Sequence, residues 1–374
     1  MRSQSSAITP RNVGSVTPAT ASFASGDRSL DVSAADDDSG GVERWPPPQP
    51  AKVKVKDSAV ASLAKERTPA VVPCTLAAVQ VHLIDGTYEL FRQWFGAPPA
   101  QAHGREVGAT RGLLRSLAIL LTKSQGATRS DRLPMTHVGI AFDHVIESFR
   151  NDLFAGYKTG EGLPEALTSQ FPLAERAAAA LGLQVWPMIE FEADDAIATA
   201  AHHLAQDPAV DRVLITAVDK DMCQCVIGSR VICWDRFKDQ ILDEPGVVAK
   251  HGVSPASIPD WLALVGDTAD GIPGLDGFGK STAAKLLTTY RHISDIPDDH
   301  ASWSLPLRGA DKLAATLRAQ RADADLYRTL ATLRTDCPIA CDVASLAWRG
   351  PNRPALEVLC AELDISPASL RLGS

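Results

Sequence analysis

The chain has 374 residues, 45% hydrophobic and 22% charged, which excludes a fibrous or wholly disordered protein and leaves room for about two domains. No apolar run approaches the roughly 18 residues that a membrane helix needs, so a membrane partner is not expected. The net charge of −8, from 37 basic and 45 acidic residues, argues against a generally basic nucleic-acid binder unless the acids are concentrated in a site that takes up cations.

Residues 1–75 read as an unstructured extension rich in Ser, Ala, Thr, Pro and Asp, with Asp36-Asp37-Asp38 and Pro46-Pro47-Pro48 and no sustained apolar period. The first 26 residues hold Arg2 and Arg11, many hydroxyls and no acid, so a transit peptide, a disordered tail and an over-long start assignment all stay open. Strand-like runs then follow at 79–84, 138–142, 212–216 and 231–234, with helical patterns at 110–122, 165–181 and 193–205 between them. Alternating strands and helices over 76–250 imply a parallel α/β sheet flanked by helices. Residues 251–374 read as short helices joined by Gly and Pro turns. Seven cysteines, spaced as Cys223-x-Cys225 and Cys337-x3-Cys341, lack paired CxxC zinc spacing and read as reduced thiols of an intracellular protein.

Three strand runs lead into acids: Asp85, Asp143, and the pair Asp219 and Asp221. Ligands of open parallel sheets bind beyond the carboxyl ends of the strands, so these acids are expected to converge. Glu192, Asp194 and Asp195 open the helix 193–205 and exceed what its dipole calls for; Asp267 and Asp270 form a further pair three apart. Nine clustered carboxylates would repel one another unless hard divalent cations relieved them, and all-oxygen ligands favour Mg2+ or Mn2+ over zinc. With those nine set aside the formal charge moves from −8 to +1, and a polyanionic substrate is no longer forbidden.

Gly274-Leu275-Asp276-Gly277-Phe278-Gly279-Lys280-Ser281 fits G-x4-G-K-[ST], but polar, turn-rich residues precede it where a P-loop needs a buried strand. The alternative is a helix-hairpin-helix, with helices at 259–265 and from Thr282 onward. Gly277, Gly279, Lys280, Ser281 and Thr282 would then meet DNA phosphates without reading sequence. A ligand-free glycine turn is the bland alternative.

The ordered set Leu83-Ile84-Asp85-Gly86, Phe142-Asp143, Ser148-Phe149-Arg150, Gly156-Tyr157-Lys158, Phe191-Glu192-Ala193-Asp194-Asp195, Asp219-Lys220-Asp221 and Gly266 to Gly274 resembles the 5′ nuclease domain of bacterial DNA polymerase I and the related phage 5′–3′ exonucleases and flap endonucleases. The resemblance covers about residues 79–341, where Leu333-Arg334-Thr335-Asp336 also looks familial, and no polymerase region follows, as in a stand-alone exonuclease. It implies a PIN-like sheet with a helical arch and a C-terminal helix-hairpin-helix region for binding DNA. It also implies two Mg2+ ions, with Mn2+ able to substitute, K+ at the hairpin, and structure-specific cleavage of DNA 5′ ends and flaps by a monomer, leaving 5′ phosphates.

By the same resemblance, Asp85, Asp143, Glu192, Asp194 and Asp195 are the inner metal ligands, and Asp219, Asp221, Asp267 and Asp270 hold the second ion, partly through water. Lys158 would place positive charge on the reacting phosphate. Arg150 would clamp a phosphate or pair with Asp152 or Glu147. Tyr157 would stack on an unpaired base or pack under the arch. Glu161, Phe191 and Gly271 depart from the family's usual basic residue, Tyr and Asn without touching a proposed ligand. An inactive DNA-binding module, a P-loop ATPase and a PIN-type ribonuclease are the rival functions. A bacterial chain would work in the cytoplasm at the nucleoid; a transit peptide would send it to an organelle.

Overall fold

The structure is a computed structural model that describes residues 79–125, 135–217 and 219–372. The extension read over residues 1–75 and its transit-peptide alternative lie outside the described residues. The first half runs β1 (Val79–Asp85), α1 (Gly86–Gly96), a small hairpin β2 (Gln101–Ala102) and β3 (Arg105–Glu106), α2 (Gly108–Gln125), β4 (His137–Asp143), α3 (Phe149–Leu153), α4 (Glu165–Thr168), α5 (Phe171–Ala180), β5 (Gln184–Met188), α6 (Ala193–Leu204) and β6 (Val210–Thr216). The second half runs β7 (Val231–Asp235), β8 (Gln240–Leu242), α7 (Glu244–His251), α8 (Ile258–Val265), α9 (Lys280–Tyr290), α10 (Ala310–Ala319), α11 (Arg321–Ala331), α12 (Val343–Leu346) and α13 (Arg353–Glu362).

Six strands form one sheet in the order β5-β4-β1-β6-β7-β8, parallel except for β8. β1 and β4 are buried along their middles on both faces, as central parallel strands covered by helices are. Val81 and Leu83 of β1 join a core built with α6, α8, α9 and α11; Ile84 joins a second core with α1, α2 and α5 on the other face. β1 lies between β4 and β6, so the chain reverses its direction of travel across the sheet there, and the carboxyl ends of three neighbouring strands open onto one crevice.

Two of the differences from the sequence reading have a local cause. β5 was not expected, because Pro187 interrupts its apolar run; the proline is tolerated because β5 is an edge strand paired only to β4. The helix expected over 165–181 is two helices, with the second restarting behind Gln170 with Pro172 in its first turn. The C-terminal stretch also does not stay with the helical region. α13 returns to α5, where Leu356, Leu359, Cys360 and Leu363 complete the second core. Glu362 pairs with Arg105 at 2.8 Å and Arg176 at 2.6 Å, and Arg111 Nε donates to the Leu363 carbonyl at 2.6 Å. None of the helices among the described residues is long and apolar enough to cross a membrane.

Candidate active site

The acids at the strand ends are held by backbone amides. Asp85 caps α1 by accepting from the Tyr88 N–H at 2.8 Å, and Asp143 accepts from the Ala193 N–H at the start of α6 at 2.7 Å. Burial first, then the charges of Asp143 and Asp219, push the Asp85 carboxyl up to about 7 despite the Tyr88 bond. Burial likewise raises Asp143 to about 6, although Lys158 and the Ala193 amide oppose it.

The N-terminus of α6 supplies the centre of the cluster. Glu192 accepts from Ser148 Oγ at 2.7 Å and Lys158 Nζ at 2.8 Å, and more weakly from the Tyr157 hydroxyl at 3.3 Å. Asp194 and Asp221 each keep one buried carboxylate oxygen, Oδ1, with no hydrogen-bond partner. Burial and the charge of Asp221 raise the Asp194 carboxyl well above the usual carboxylate range; burial and Asp219 do the same to Asp221. A buried acceptor without a donor is costly, and two of them facing like charges suit a hard divalent cation as a partner.

Asp195 pairs bidentately with a buried arginine, a partner that its expected place among the metal ligands did not include. Its Oδ1 accepts from Arg150 Nη2 at 2.7 Å and the Arg334 N–H at 2.9 Å; its Oδ2 accepts from Arg150 Nη1 at 2.7 Å and the Glu192 N–H at 3.0 Å. The acceptor directions of this carboxylate are filled within the protein. The expectation for Arg150 is corrected. The residue is only 1% exposed and also donates to the Leu330 and Thr332 carbonyls, so it is no phosphate clamp, and its partner is neither Asp152 nor Glu147. This bidentate pair ties α3, the loop after α11 and the start of α6 together, and so aims Glu192 and Asp194 at the crevice. Tyr157, 5% exposed with its hydroxyl on Glu192, packs inside and offers no face to a base.

Asp267 and Asp270 arrive on the loop between α8 and α9. Asp267 and Ile272 exchange backbone hydrogen bonds of 2.7 and 2.8 Å, which close the loop. Gly271, at φ +75°, lies directly on the Gly156 carbonyl, where a side chain would collide with backbone; this accounts for glycine at a position where the resemblance led us to expect Asn. The contact brings Asp270 to Lys158, whose amine reaches Asp270 Oδ1 at 3.2 Å as well as Glu192. Burial disfavours the Lys158 ammonium, but Glu192 and Asp270 outweigh it and hold it well above the ordinary lysine value. Lys220 Nζ bonds Asp267 Oδ2 at 2.7 Å. Among the described residues no three acids, histidines or cysteines are drawn together closely enough to cage an ion as they stand; the lysine amines are bonded to them instead. The donors nonetheless fit hard divalent cations, being all oxygen, mutually repelling and short of partners at Asp194 and Asp221.

The glycine-rich segment joins α8 to α9, with a helix in front of it rather than a strand, so the helix-hairpin-helix is the arrangement found. α9 starts behind Gly279 with no side-chain cap, leaving its first amides unclaimed by side chains. Gly277, Gly279, Lys280 and Ser281 are exposed there and Thr282 is half-buried. Beside them runs a groove of about 950 Å³ lined by Lys220, Lys250, Lys280, Lys285 and Ser281. Lys220 and Ser148 lie within the familial motifs but carry no expected role. A lysine between two cluster acids was the available signal for the first; the 44-residue separation of Ser148 from Glu192 left none for the second.

Fold and site together define a class: a resolvase-like α/β domain with an acidic centre at the carboxyl edge of its sheet, followed by a helical hairpin domain. The model of the 5′-3′ exonuclease N-terminal resolvase-like domain matches residues 80–252, that of the 5′-3′ exonuclease C-terminal SAM fold matches residues 253–354, and the chain belongs to the 5′-3′ exonuclease family. It is 35% identical to DNA polymerase I of Pseudomonas aeruginosa over 293 residues, 75% of this chain but only 30% of that protein's length. It is 28% identical to the 5′-3′ exonuclease of Aquifex aeolicus over 288 residues, 76% of this chain and 92% of that one. The structure of the T5 5′-exonuclease with bound divalent metal ions (zinc) superposes with a TM-score of 0.52 at 17% identity, covering 76% of this chain and 96% of that one, a likeness of fold.

Proposed function

We propose that this chain is a Mg2+-dependent 5′–3′ exonuclease and flap endonuclease that hydrolyses DNA phosphodiester bonds and leaves 5′ phosphates, as a monomer serving DNA replication and repair. The observation that carries this reading is the pair of buried, unpartnered carboxylate oxygens on Asp194 and Asp221 within a cluster of mutually repelling acids. Asp85, Asp143, Glu192 and Asp194 would hold one divalent ion, and Asp219, Asp221, Asp267 and Asp270 the other. Bound there, the ions supply Lewis-acid charge to the scissile phosphate and to the water that attacks it in line.

The rest of the chemistry belongs to the chain itself. Lys158, 26% exposed at its side chain and held as an ammonium, serves as a fixed positive charge for the phosphate and not as a base. Arg150 and Asp195 act as positioning residues through the start of α6. The amides at the start of α9, with Lys280, Ser281 and Thr282, grip duplex phosphates without reading bases. In this division residues 76–250, joined by Asp267 and Asp270, carry hydrolysis and the hairpin helices carry the grip.

The test incubates the purified chain with 5′-flap DNA, blunt duplex and single-stranded RNA, in Mg2+ and in EDTA. Cleavage of DNA in Mg2+ alone is expected. Absence of Mg2+-dependent DNA cleavage overturns the proposal, and cleavage confined to RNA replaces it with a ribonuclease.

A further inference from the structure

Four lysines line the groove beside α9, and one of them is already committed elsewhere. Among the described residues, Lys250, Lys280 and Lys285 have no carboxylate partner, whereas Lys220 Nζ sits on Asp267 Oδ2 at 2.7 Å. The two partners of that bond are unequal in freedom. Asp267 is buried, its backbone is fixed by the paired bonds to Ile272, and its Oδ1 accepts from the Ala269 N–H at 3.1 Å. Lys220 has a flexible four-carbon stem and a side chain 34% exposed, and it lines the groove as well as touching the acid. The acid is therefore fixed and the amine can move.

We propose that Lys220 couples duplex binding to metal binding: a phosphate seated in the groove draws its ammonium off Asp267 and opens that carboxylate to a divalent cation. The idea rests on the nuclease reading above and adds an order of assembly to it. Asp267 cannot accept fully from both the ammonium and a cation, while a phosphate competes for the ammonium only. Duplex and cation thus help each other through one side chain, and the coupling is reciprocal by linkage. Without a duplex the chain holds its second ion weakly, which restrains hydrolysis away from a seated substrate.

The coupling is measured without turnover. Ca2+ serves as the oxygen-seeking probe cation, and a labelled blunt duplex is followed by fluorescence anisotropy with Ca2+ and with EDTA. Calorimetry of Ca2+ with and without duplex gives the reverse arm. For the unaltered chain, Ca2+ should tighten duplex binding by roughly tenfold, within the usual range of such couplings, and duplex should tighten Ca2+ equally. Lys220→Met should reduce both ratios well below those of the unaltered chain, leaving only the direct ion–phosphate share, while binding Ca2+ alone at least as tightly as the unaltered chain. Lys220→Arg should restore part of the ratio. Lys250→Met should weaken duplex in both conditions and keep the ratio. A full ratio in Lys220→Met, or no ratio in the unaltered chain, overturns the coupling while leaving the nuclease reading intact. A chain that binds neither duplex nor Ca2+ removes both.

Discussion

At the scale of single residues, Asp194 and Asp221 each keep a carboxylate oxygen without a partner, whereas both oxygens of Asp195 are bonded within the protein. Asp195 holds Arg150 in the interior, and each partner is nearly inaccessible to water. Removing one leaves an unpaired buried charge, a loss of about 3–5 kcal/mol, whereas replacing both with apolar groups of similar volume is often tolerated. Asp195→Ala should therefore lose stability in urea by that amount, and Arg150→Met by a similar one. The double variant Arg150→Met/Asp195→Leu should recover much of the loss. Additive losses in the double-variant cycle would reject the pair as the link between α3 and α6. Any loss of cleavage in Asp195→Ala would then reflect misplacement of Glu192 and Asp194 and not a missing ligand.

At the scale of elements, the loop from α8 to α9 depends on Gly266, Gly271 and Gly274, where a Cβ would collide with backbone. Gly274 adopts φ +76°, and a Cβ there would lie 2.6 Å from the Gly266 nitrogen. Gly274→Ala should cost about 2 kcal/mol or more, from left-handed strain together with the clash. It should weaken duplex binding further by displacing the start of α9. An unchanged thermal midpoint would contradict the packing described. Much of this architecture is legible in the sequence. Apolar runs at β1, β4 and β6 each end near an acid, and parallel pairing then brings acids 58 and 134 positions apart to neighbouring strand ends. The glycine spacing in front of Lys280 announces a tight turn, and the polar residues before it argue against a P-loop strand. What stayed hidden are partners without local signal. Arg150 and Asp195 lie 45 positions apart on different elements, and nothing local to either marks the other as its partner. For Tyr157 the sequence leaves stacking and packing open, and only the bond of its hydroxyl to Glu192 separates them. The return of α13 depends on an apolar face whose destination no periodicity specifies.

At the scale of the whole molecule, the acidic centre makes stability depend on pH and on cations. In the folded chain Asp85 titrates at about 7 and Asp143 at about 6, both above the ordinary carboxylate value. The folded state thus keeps protons that the unfolded chain has released, and stability falls as pH rises between about 4 and about 7. In EDTA the thermal midpoint should drop across that window, and Asp85→Asn should flatten the drop. Mg2+ should raise the midpoint strongly at pH 8 and little at pH 5, because the protonated acids of the lower pH have less need of a cation. A midpoint that rises with pH in EDTA, or a Mg2+ effect larger at pH 5, would contradict the repulsion within the cluster.

The most direct test of that cluster counts its ions. Mn2+ bound to the purified chain is measured by electron paramagnetic resonance, for the unaltered protein and for Asp194→Asn/Asp221→Asn, with thermal melts in EDTA verifying that the variant folds. One tight and one weaker ion are expected in the first and the loss of at least one in the second, together with an unchanged or raised midpoint because two buried carboxylates have gone. A variant that keeps both ions at full affinity, or an unaltered chain that takes up none, would contradict a metal centre built from these carboxylates.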